Sequence, residues 1–552
     1  MDVGAFWILF TCATILAMIA RNRLRSGPTE EEGDTVAWEK GKLRKEKDQA
    51  DDIKKDKRAG RMKKLLNGPR ALPLFGSLHL LASPGGPFEA FTRLARKYGD
   101  IYEIRLGVAT CVVVSSYSLV KEVLITKGSH FGGRPDFLRF HQLFGGDRNN
   151  SLALCDWSDL QMKRRSLARS FCSPRRGSPQ QEELSRVATL EASQFMSALT
   201  NEESQDVLRG ERSLKPLLLG AVANMFTRYM CSTRFSYADQ EFCKIVRTFD
   251  EIFWDINQGY AVDFLPWLRP FYAGHMKRLN NWATGIRTFI LKRIIDRHRA
   301  SLDSVNGVPR DFTDALLLHL ESPGSGLSWE HIIFELEDFL GGHSAIGNLV
   351  MLILANSVVH SEVQSKIQAE CDTVLAQPGR SRALVTLEDR ADMPYTESVI
   401  WETLRISSSP IVPHVATQDT EIGGYNVAKD TVVFVNNYEL NLGESYWGPG
   451  SREFRPERFL KYSVPEAAGD SGEKPKVRRP EHFVPFSTGK RTCIGQRLVQ
   501  GFTFVLVTAI FSRFDISQAS EDLASRLLPG CVAVPPDPFH LVLVPRAGKS
   551  DD

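Results

Sequence analysis

The stretch FSTGKRTCIG, residues 486–495, decides how the rest of this chain is read. It has the form F-x-x-G-x-R-x-C-x-G, with Phe486, Gly489, Arg491, Cys493 and Gly495 on its fixed places. A cysteine ligates iron only as a thiolate, so its neighbours must favour the anion. The apolar run from Gly495 to Val507 reads as a helix that starts at the cysteine. Its free N–H groups and positive dipole end suit a sulfur anion. The two glycines let the backbone pass close to a flat cofactor, and Arg491 supplies a fixed cation for a porphyrin propionate. A buried structural cysteine would account for one residue of the pattern and leave four unexplained.

Three further features stand in order along the chain. Residues 402–405 read ETLR, an E-x-x-R helix turn, and 454–459 read FRPERF. Pro69, Pro73 and Gly76 punctuate GPRALPLFG, residues 68–76. Alone, E-x-x-R is an ordinary i,i+3 helix pair. Followed by the cysteine loop, the set resembles the cytochrome P-450 superfamily, the haem-thiolate monooxygenases, over residues 67–545. The resemblance implies the cytochrome P-450 fold, mainly α with small β-sheets, and a haem b whose iron Cys493 ligates. It also implies a structural cluster of Glu402, Arg405 and Arg458 that holds the cysteine loop, and His414 as a propionate partner.

Of 552 residues, 42% are apolar and 10% aromatic, enough for a large core, and the net charge of +3 gives no case for a nucleic-acid partner. Nine scattered cysteines without paired spacing suit reduced thiols in a cytosol-facing domain. Residues Val3–Ala20 carry no charge. At about 1.5 Å per residue they span roughly 27 Å, enough for the thinner endoplasmic reticulum bilayer. Arg21, Arg23 and Arg25 follow, which places the remainder on the cytosolic side. A cleaved signal peptide fits less well, for want of a basic n-region and an A-x-A site, and a mitochondrial presequence less still.

The expected organisation is thus a membrane-spanning helix in 1–25, a charged spacer in 26–66 and a catalytic domain in 67–552. The spacer mixes both signs, with i,i+4 pairs such as Asp51 and Lys55, and reads as solvated and partly helical. Residues 99–115 read as a β-hairpin, helical periodicity dominates from 117 to 410, and short strands return at 421–427 and 431–435. Residues 461–480 are rich in Pro, Gly and charge, a surface loop.

Trp157 resembles the tryptophan of the family's W-x-x-x-R helix, which meets the haem propionates. Here Gln161 stands where the arginine belongs. Lys163, Arg164 and Arg165 form a basic run, which the family would use to dock NADPH-cytochrome P-450 reductase; a solvated face is the plain alternative.

The long helix around 335–348 holds the main departure. The family reads (A/G)-G-x-(D/E)-T, and this chain reads Gly341-Gly342-His343-Ser344-Ala345. The paired glycines predict a helix able to open beside the iron and admit dioxygen. The acid–alcohol pair that relays protons in typical members is replaced by Ser344 and Ala345, and alanine donates no hydrogen bond. Either Ser344, His343, Asn348 or an ordered water replaces the relay, or the chemistry differs. The run GGHSAIGNL, residues 341–349, is similar to one branch, the insect Halloween-class enzymes of the Spook and Spookier type.

That likeness implies a monooxygenase of the endoplasmic reticulum membrane acting on a 7-dehydrocholesterol-derived sterol, early in ecdysteroid synthesis. Electrons would come from NADPH through the separate reductase, with cytochrome b5 as a further partner. Two other readings stay open: a haem-thiolate isomerase or dehydratase that uses no dioxygen, and a non-catalytic haem-binding sensor.

Overall fold

The computed structural model describes residues 65–547, apart from 83–85, 303–306, 380–382, 462–474, 520–522, 524–526, 528–530 and 536–538. The expected membrane helix, nearly all of the charged spacer and most of the 461–480 loop lie outside the described residues.

The longer helices are α1 (Gly86–Tyr98), α2 (Asp159–Cys172), α3 (Pro179–Thr200), α4 (Lys215–Cys231), α5 (Gln240–Ile256) and α6 (Ala273–Ile290). They continue with α7 (Phe312–Glu321), α8 (Trp329–Val359), α9 (Ser361–Leu375), α10 (Pro394–Ser407) and α11 (Gln496–Arg513). Their starts are written in short polar residues. Ser158 accepts the N–H of Gln161, Asp239 that of Phe242 and Asp311 that of Asp314. Ser328 and His331 form a reciprocal capping box at the head of α8. Ser408 ends α10 in the left-handed conformation, at φ 39°.

A helix apolar on every side must be buried on every side. Both α8 and α11 meet that condition, and the main core forms around them with α3, α4, α9 and α10. Edge-to-face contact of Phe226 with Phe502, at 5.5 Å, joins α4 to α11. Helix α8 is apolar enough to cross a bilayer, yet 78% of its apolar window is buried in the protein. It is a core helix.

The predicted hairpin is present, with β1 (Ile101–Leu106) antiparallel to β2 (Ala109–Val114). β3 (His414–Val415) pairs with β6 (Val432–Val435), which lies parallel to β2, giving the order β1-β2-β6-β3. The expected strand at 421–427 is itself a hairpin, β4 (Thr420–Ile422) with β5 (Tyr425–Val427), turning on Gly423 and Gly424. Two-stranded pairs β7 (Leu460–Lys461) with β8 (Lys476–Val477), and β9 (Phe514–Gln518) with β10 (Leu541–Pro545), complete the small sheets.

The helical periodicity expected from 117 onward begins as an α-helix only over Tyr117–Lys121 and continues as a wider π turn over Glu122–Thr126. That turn sets the Leu124 carbonyl against Gly489, where the backbone has φ 72° and any Cβ would collide with it. Every described cysteine is a free thiol, as the scattered spacing predicts.

Candidate active site

Cys493 follows a 3-10 turn at Gly489–Arg491 and precedes α11, whose cap is Gly495. The helix therefore starts just after the cysteine, and the Gly495 and Gln496 amides point at its sulfur. Burial raises the thiol pKa; those amides and the charge of Arg165 work in the opposite direction. Cys493 is deep in the fold yet presents accessible surface, so it borders an interior space. Its own N–H donates to the Phe486 carbonyl at 2.9 Å, which closes the loop. Phe486 packs edge-on against Trp401 of α10.

The two loop glycines have different tasks. Gly489 makes room for the Leu124 carbonyl, not for a cofactor as the sequence suggested. A Cβ at Gly495 would project into open space, so that residue leaves the surface beside the cysteine flat.

Beside the loop, four basic side chains converge. Arg491 donates to the carbonyls of Gly132 and Cys155, and its Nε and second Nη find no partner. Arg165 donates to the Thr492 carbonyl and keeps Nε free. Arg134 gives its side chain only to the carbonyls of Ala153, Val412 and Pro413. His414 donates from Nδ1 to the Phe131 carbonyl at 2.8 Å, leaving Nε2 buried and unpaired.

Burial, and then their mutual repulsion, lowers the pKa of Arg134 far below its usual value and that of Arg165 to about 10. Burial, Arg134 and Arg491 together depress His414. The nearest carboxylate, Asp156, is already held by Arg148 and by the Arg134 amide. Buried cations with free donors call for anions. Two propionate carboxylates beside a thiolate ligand satisfy this set, so the residues present fit haem. Because Nδ1 already donates, Nε2 of His414 donates only from the cationic ring; a neighbouring carboxylate favours that form.

Two expectations about α2 need correction. Trp157 precedes the helix, which begins at Asp159, so the W-x-x-x-R spacing has no geometric meaning here. Lys490 and Arg491 of the cysteine loop lie over its ring instead, at 5.3 and 5.7 Å. Gln161 is buried and ties its amide to the Leu152 carbonyl at 2.6 Å. The missing cation is Arg165, one turn beyond Gln161. The basic run is not a docking face either. Arg164 is buried in an ion pair with Glu335 at 2.9 Å and Arg165 faces the loop, leaving Lys163 alone exposed. Arg134 had no recognisable signal in the sequence.

On α8, Gly341 and Gly342 do not open the helix, which runs unbroken from Trp329 to Val359. A Cβ on them would meet Phe249 of α5 at 3.4 Å and Phe226 of α4 at 3.3 Å. Their smallness serves helix packing, and Gly347 does the same against Leu219. His343 is turned away from any relay: its nitrogens face the Leu340 and Val246 carbonyls at 2.5 and 3.3 Å, and its ring packs edge-on against Phe249. Ser344 and Asn348, one turn apart on one face, are fully buried, and neither the hydroxyl nor the amide has a partner. Gly341, Gly342 and Ala345 remain partly accessible in the middle of this core helix.

Glu402, Arg405 and Arg458 come together. Glu402 accepts two bonds from Arg405 at 2.7 Å and one from Arg458 at 3.1 Å, and both residues of the i,i+3 pair are fully buried. Arg405 also holds the carbonyls of Asn441, Ser451 and Glu453.

Comparison with known proteins agrees with this geometry. The profile of the cytochrome P-450 family matches residues 66–543. The chain is 49% identical to cytochrome P-450 307a1 of Drosophila melanogaster over 87% of its length and 89% of that protein. It is 30% identical to the steroid 17-alpha-hydroxylase/17,20 lyase of Ictalurus punctatus, covering 81% of this chain and 84% of that one. A zebrafish cytochrome P-450 solved with abiraterone superposes at a TM-score of 0.67 and 26% identity, over 84% of this chain and all of that one. A cysteine under a helix terminus, three buried arginines and a histidine that suit two carboxylates, and a family match across the folded region converge on one conclusion: the chain belongs to the cytochrome P-450 family, an oxidoreductase whose haem b is ligated through Cys493 and which acts as a monooxygenase.

Proposed function

We propose that this monooxygenase oxidises a sterol, a 7-dehydrocholesterol-derived precursor early in ecdysteroid synthesis, with electrons from NADPH through a separate reductase. The observation that carries the reading is the run 341–349, GGHSAIGNL, whose departure from the family pattern is of the Spook type. Identity of 49% to an insect relative and of 30% to a steroid hydroxylase supports it. When bound, the haem supplies dioxygen binding and activation, with thiolate electron density favouring O–O cleavage.

The chain's own residues do the rest. Arg134, Arg165, Arg491 and His414 fix the cofactor's carboxylates, and the Glu402 cluster braces the segment 441–458. With Ala345 silent and His343 occupied, Ser344 and Asn348 are the polar groups of this turn left without protein partners, and a water held between them would stand in for the missing proton relay. Asn348→Leu should change thermal stability little, since it removes a buried amide that no protein group partners. The fraction of NADPH oxidised that appears as product should fall severalfold in the same variant. Ala345→Thr should restore much of that coupling in the Asn348→Leu background without changing the product. Full coupling in Asn348→Leu would remove this water from the mechanism.

Purified protein with reductase and 7-dehydrocholesterol tests the reading directly: the product should carry label from dioxygen and require NADPH. Turnover without either cofactor would favour the isomerase or dehydratase reading, which the loss of the relay alcohol at Ala345 motivates. Binding of sterol without any product would favour a sensor.

We place the protein on the endoplasmic reticulum membrane with its catalytic domain in the cytosol. Supporting this are the uncharged segment 3–20 and an exposed apolar surface on the folded domain. Leu72, Leu74, Val108, Trp267 and Phe271 are exposed, Phe75 meets Trp267 at 6.1 Å, and the Val108 N–H reaches the Phe264 carbonyl. Deleting residues 1–25 should release only part of the protein from microsomes while leaving the haem spectrum intact. A spectrum lost on truncation would refute an independent anchor. For reductase docking, the exposed cations Arg169, Arg175, Arg176, Lys490 and Arg497 replace the run at 163–165 as the candidate face, with Arg497 bonded to the Pro174 carbonyl. Cytochrome b5 would compete for the same face.

A further inference from the structure

Two neighbouring arginines of α2 are held in opposite directions. Arg164 pairs with Glu335 of α8 at 2.9 Å, while Arg165 turns to the cysteine loop and donates to the carbonyl of Thr492, the residue before Cys493. Arg165 is 7% exposed, its Nε is buried without a hydrogen-bond partner, and no carboxylate pairs with it among the described residues. The other two buried arginines of the site are placed differently. Arg134 and Arg491 donate to carbonyls of Gly132, Ala153, Cys155, Val412 and Pro413, none of them in the loop 486–495. Of the three charges, that of Arg165 is the one that acts on Cys493, and the sulfur acts back on it.

A count of charges shows what this cation is for. Two propionates balance two guanidinium groups, and Asp156, the nearest carboxylate, is already held by Arg148. A third buried guanidinium is left over, and the remaining anion of the centre is the thiolate itself. The sequence agrees. Gln161 fills the place where a propionate cation was expected, and Arg165 stands one turn further along α2, a displacement of about 6 Å, where the helix meets Thr492. We propose that Arg165 is a positioning residue for electron entry: its charge, fixed at the Thr492 carbonyl, acts through the Cys493 sulfur to raise the reduction potential of the iron.

Adding an electron makes the iron–thiolate pair more negative, so a fixed cation in a low-dielectric interior favours the reduced form. The same cation holds electron density on the sulfur and weakens its donation to the metal. The Gly495 and Gln496 amides act on the sulfur as partial charges, and Arg165 adds a whole one from another helix. None of this depends on the substrate being a sterol. Because Nε of Arg165 can also take a propionate, anchoring of the cofactor and an effect on the sulfur have to be measured apart.

The test uses the full-length holoenzyme without substrate, as wild type, Arg165→Lys, Arg165→Leu and Arg134→Leu. Haem-to-protein ratio, reduction potential by spectroelectrochemistry and the iron–sulfur stretching frequency by resonance Raman are measured on each. In Arg165→Leu the ferrous-to-ferric ratio at a fixed applied potential should fall about tenfold, equivalent to about 59 mV for one electron. The iron–sulfur stretch should move up in the same variant. Arg165→Lys keeps the charge and should keep most of the wild-type value of both. Arg134→Leu removes a cation that reaches no loop residue, and should leave the stretch where it is even if it retains less haem.

An iron–sulfur stretch unchanged in Arg165→Leu would overturn the assignment, whatever the potential does, and would leave Arg165 a carboxylate anchor like Arg134. A stretch that moves as far in Arg165→Lys as in Arg165→Leu would overturn it too, since the shape of the loop and not the charge would then be responsible. If the leucine variant does not retain haem, Arg165→Gln, neutral but still hydrogen-bonding, supplies the reading: the same fall in potential and rise in the stretch are expected, and wild-type values overturn the proposal.

Discussion

Cys493→Ser is expected to abolish turnover and to erase the long-wavelength Soret band of the reduced carbon monoxide complex. A serine hydroxyl does not ionise under conditions that ionise a thiol, so the amides of Gly495 and Gln496 would have no anion to stabilise. The fold should survive, because Cys493 borders interior space and its side chain carries no packing that serine loses. Its backbone N–H still closes the loop onto Phe486. The check is spectroscopic and needs no substrate. A variant that retained the band would mean that another residue ligates the iron.

The second large effect lies away from the reacting atoms. Glu402→Ala should yield protein that fails to hold haem, because it strands two guanidinium groups, Arg405 and Arg458, in a dry interior. Removing one partner of a buried pair costs about 3–5 kcal/mol, a large share of the stability of any domain. Arg405→Ala should fail by a different route. Glu402 keeps Arg458 and the Arg455 amide, at 3.1 and 2.8 Å, but the carbonyls of Asn441, Ser451 and Glu453 lose their donor. Arg405→Lys should not rescue it, since one ammonium cannot span a carboxylate and three separate carbonyls. Haem-to-protein ratio and the unfolding midpoint measure both effects. Normal haem content with impaired turnover alone would mean that the cluster takes part in chemistry and does not simply brace the chain.

The cysteine loop and the Glu402 pair were legible in the sequence because their geometry is local or nearly so. An i,i+3 pair on a helix, or a cysteine three residues before one, is fixed by backbone periodicity. The hairpin at 101–114 and the buried helices were legible for the same reason. What failed depended on register or on distant partners. Trp157 was read onto a helix that begins two residues later, which hid the role of Arg165. Arg164 looked like surface charge, since nothing near it in the chain announces Glu335, 171 residues away. Gly341 and Gly342 were read as a hinge, and their reason proved to be the rings of Phe249 and Phe226 on other helices.

One consequence concerns the making of the protein. Trp329–Val359 is long and apolar enough to cross a bilayer. If the segment 3–20 anchors the chain as proposed, a ribosome at the membrane would later present this helix to the same insertion machinery. Its first turns carry Glu335, Glu337 and Asp338, ahead of its most apolar stretch, where they would resist entry of that end of the helix into hydrocarbon. On the membrane-anchored reading proposed above, the acids at the head of the helix would favour its entry into the protein core over the lipid. Changing all three to leucine should trade folded enzyme for a chain with a second transmembrane crossing, detectable by glycosylation of a site placed after residue 360.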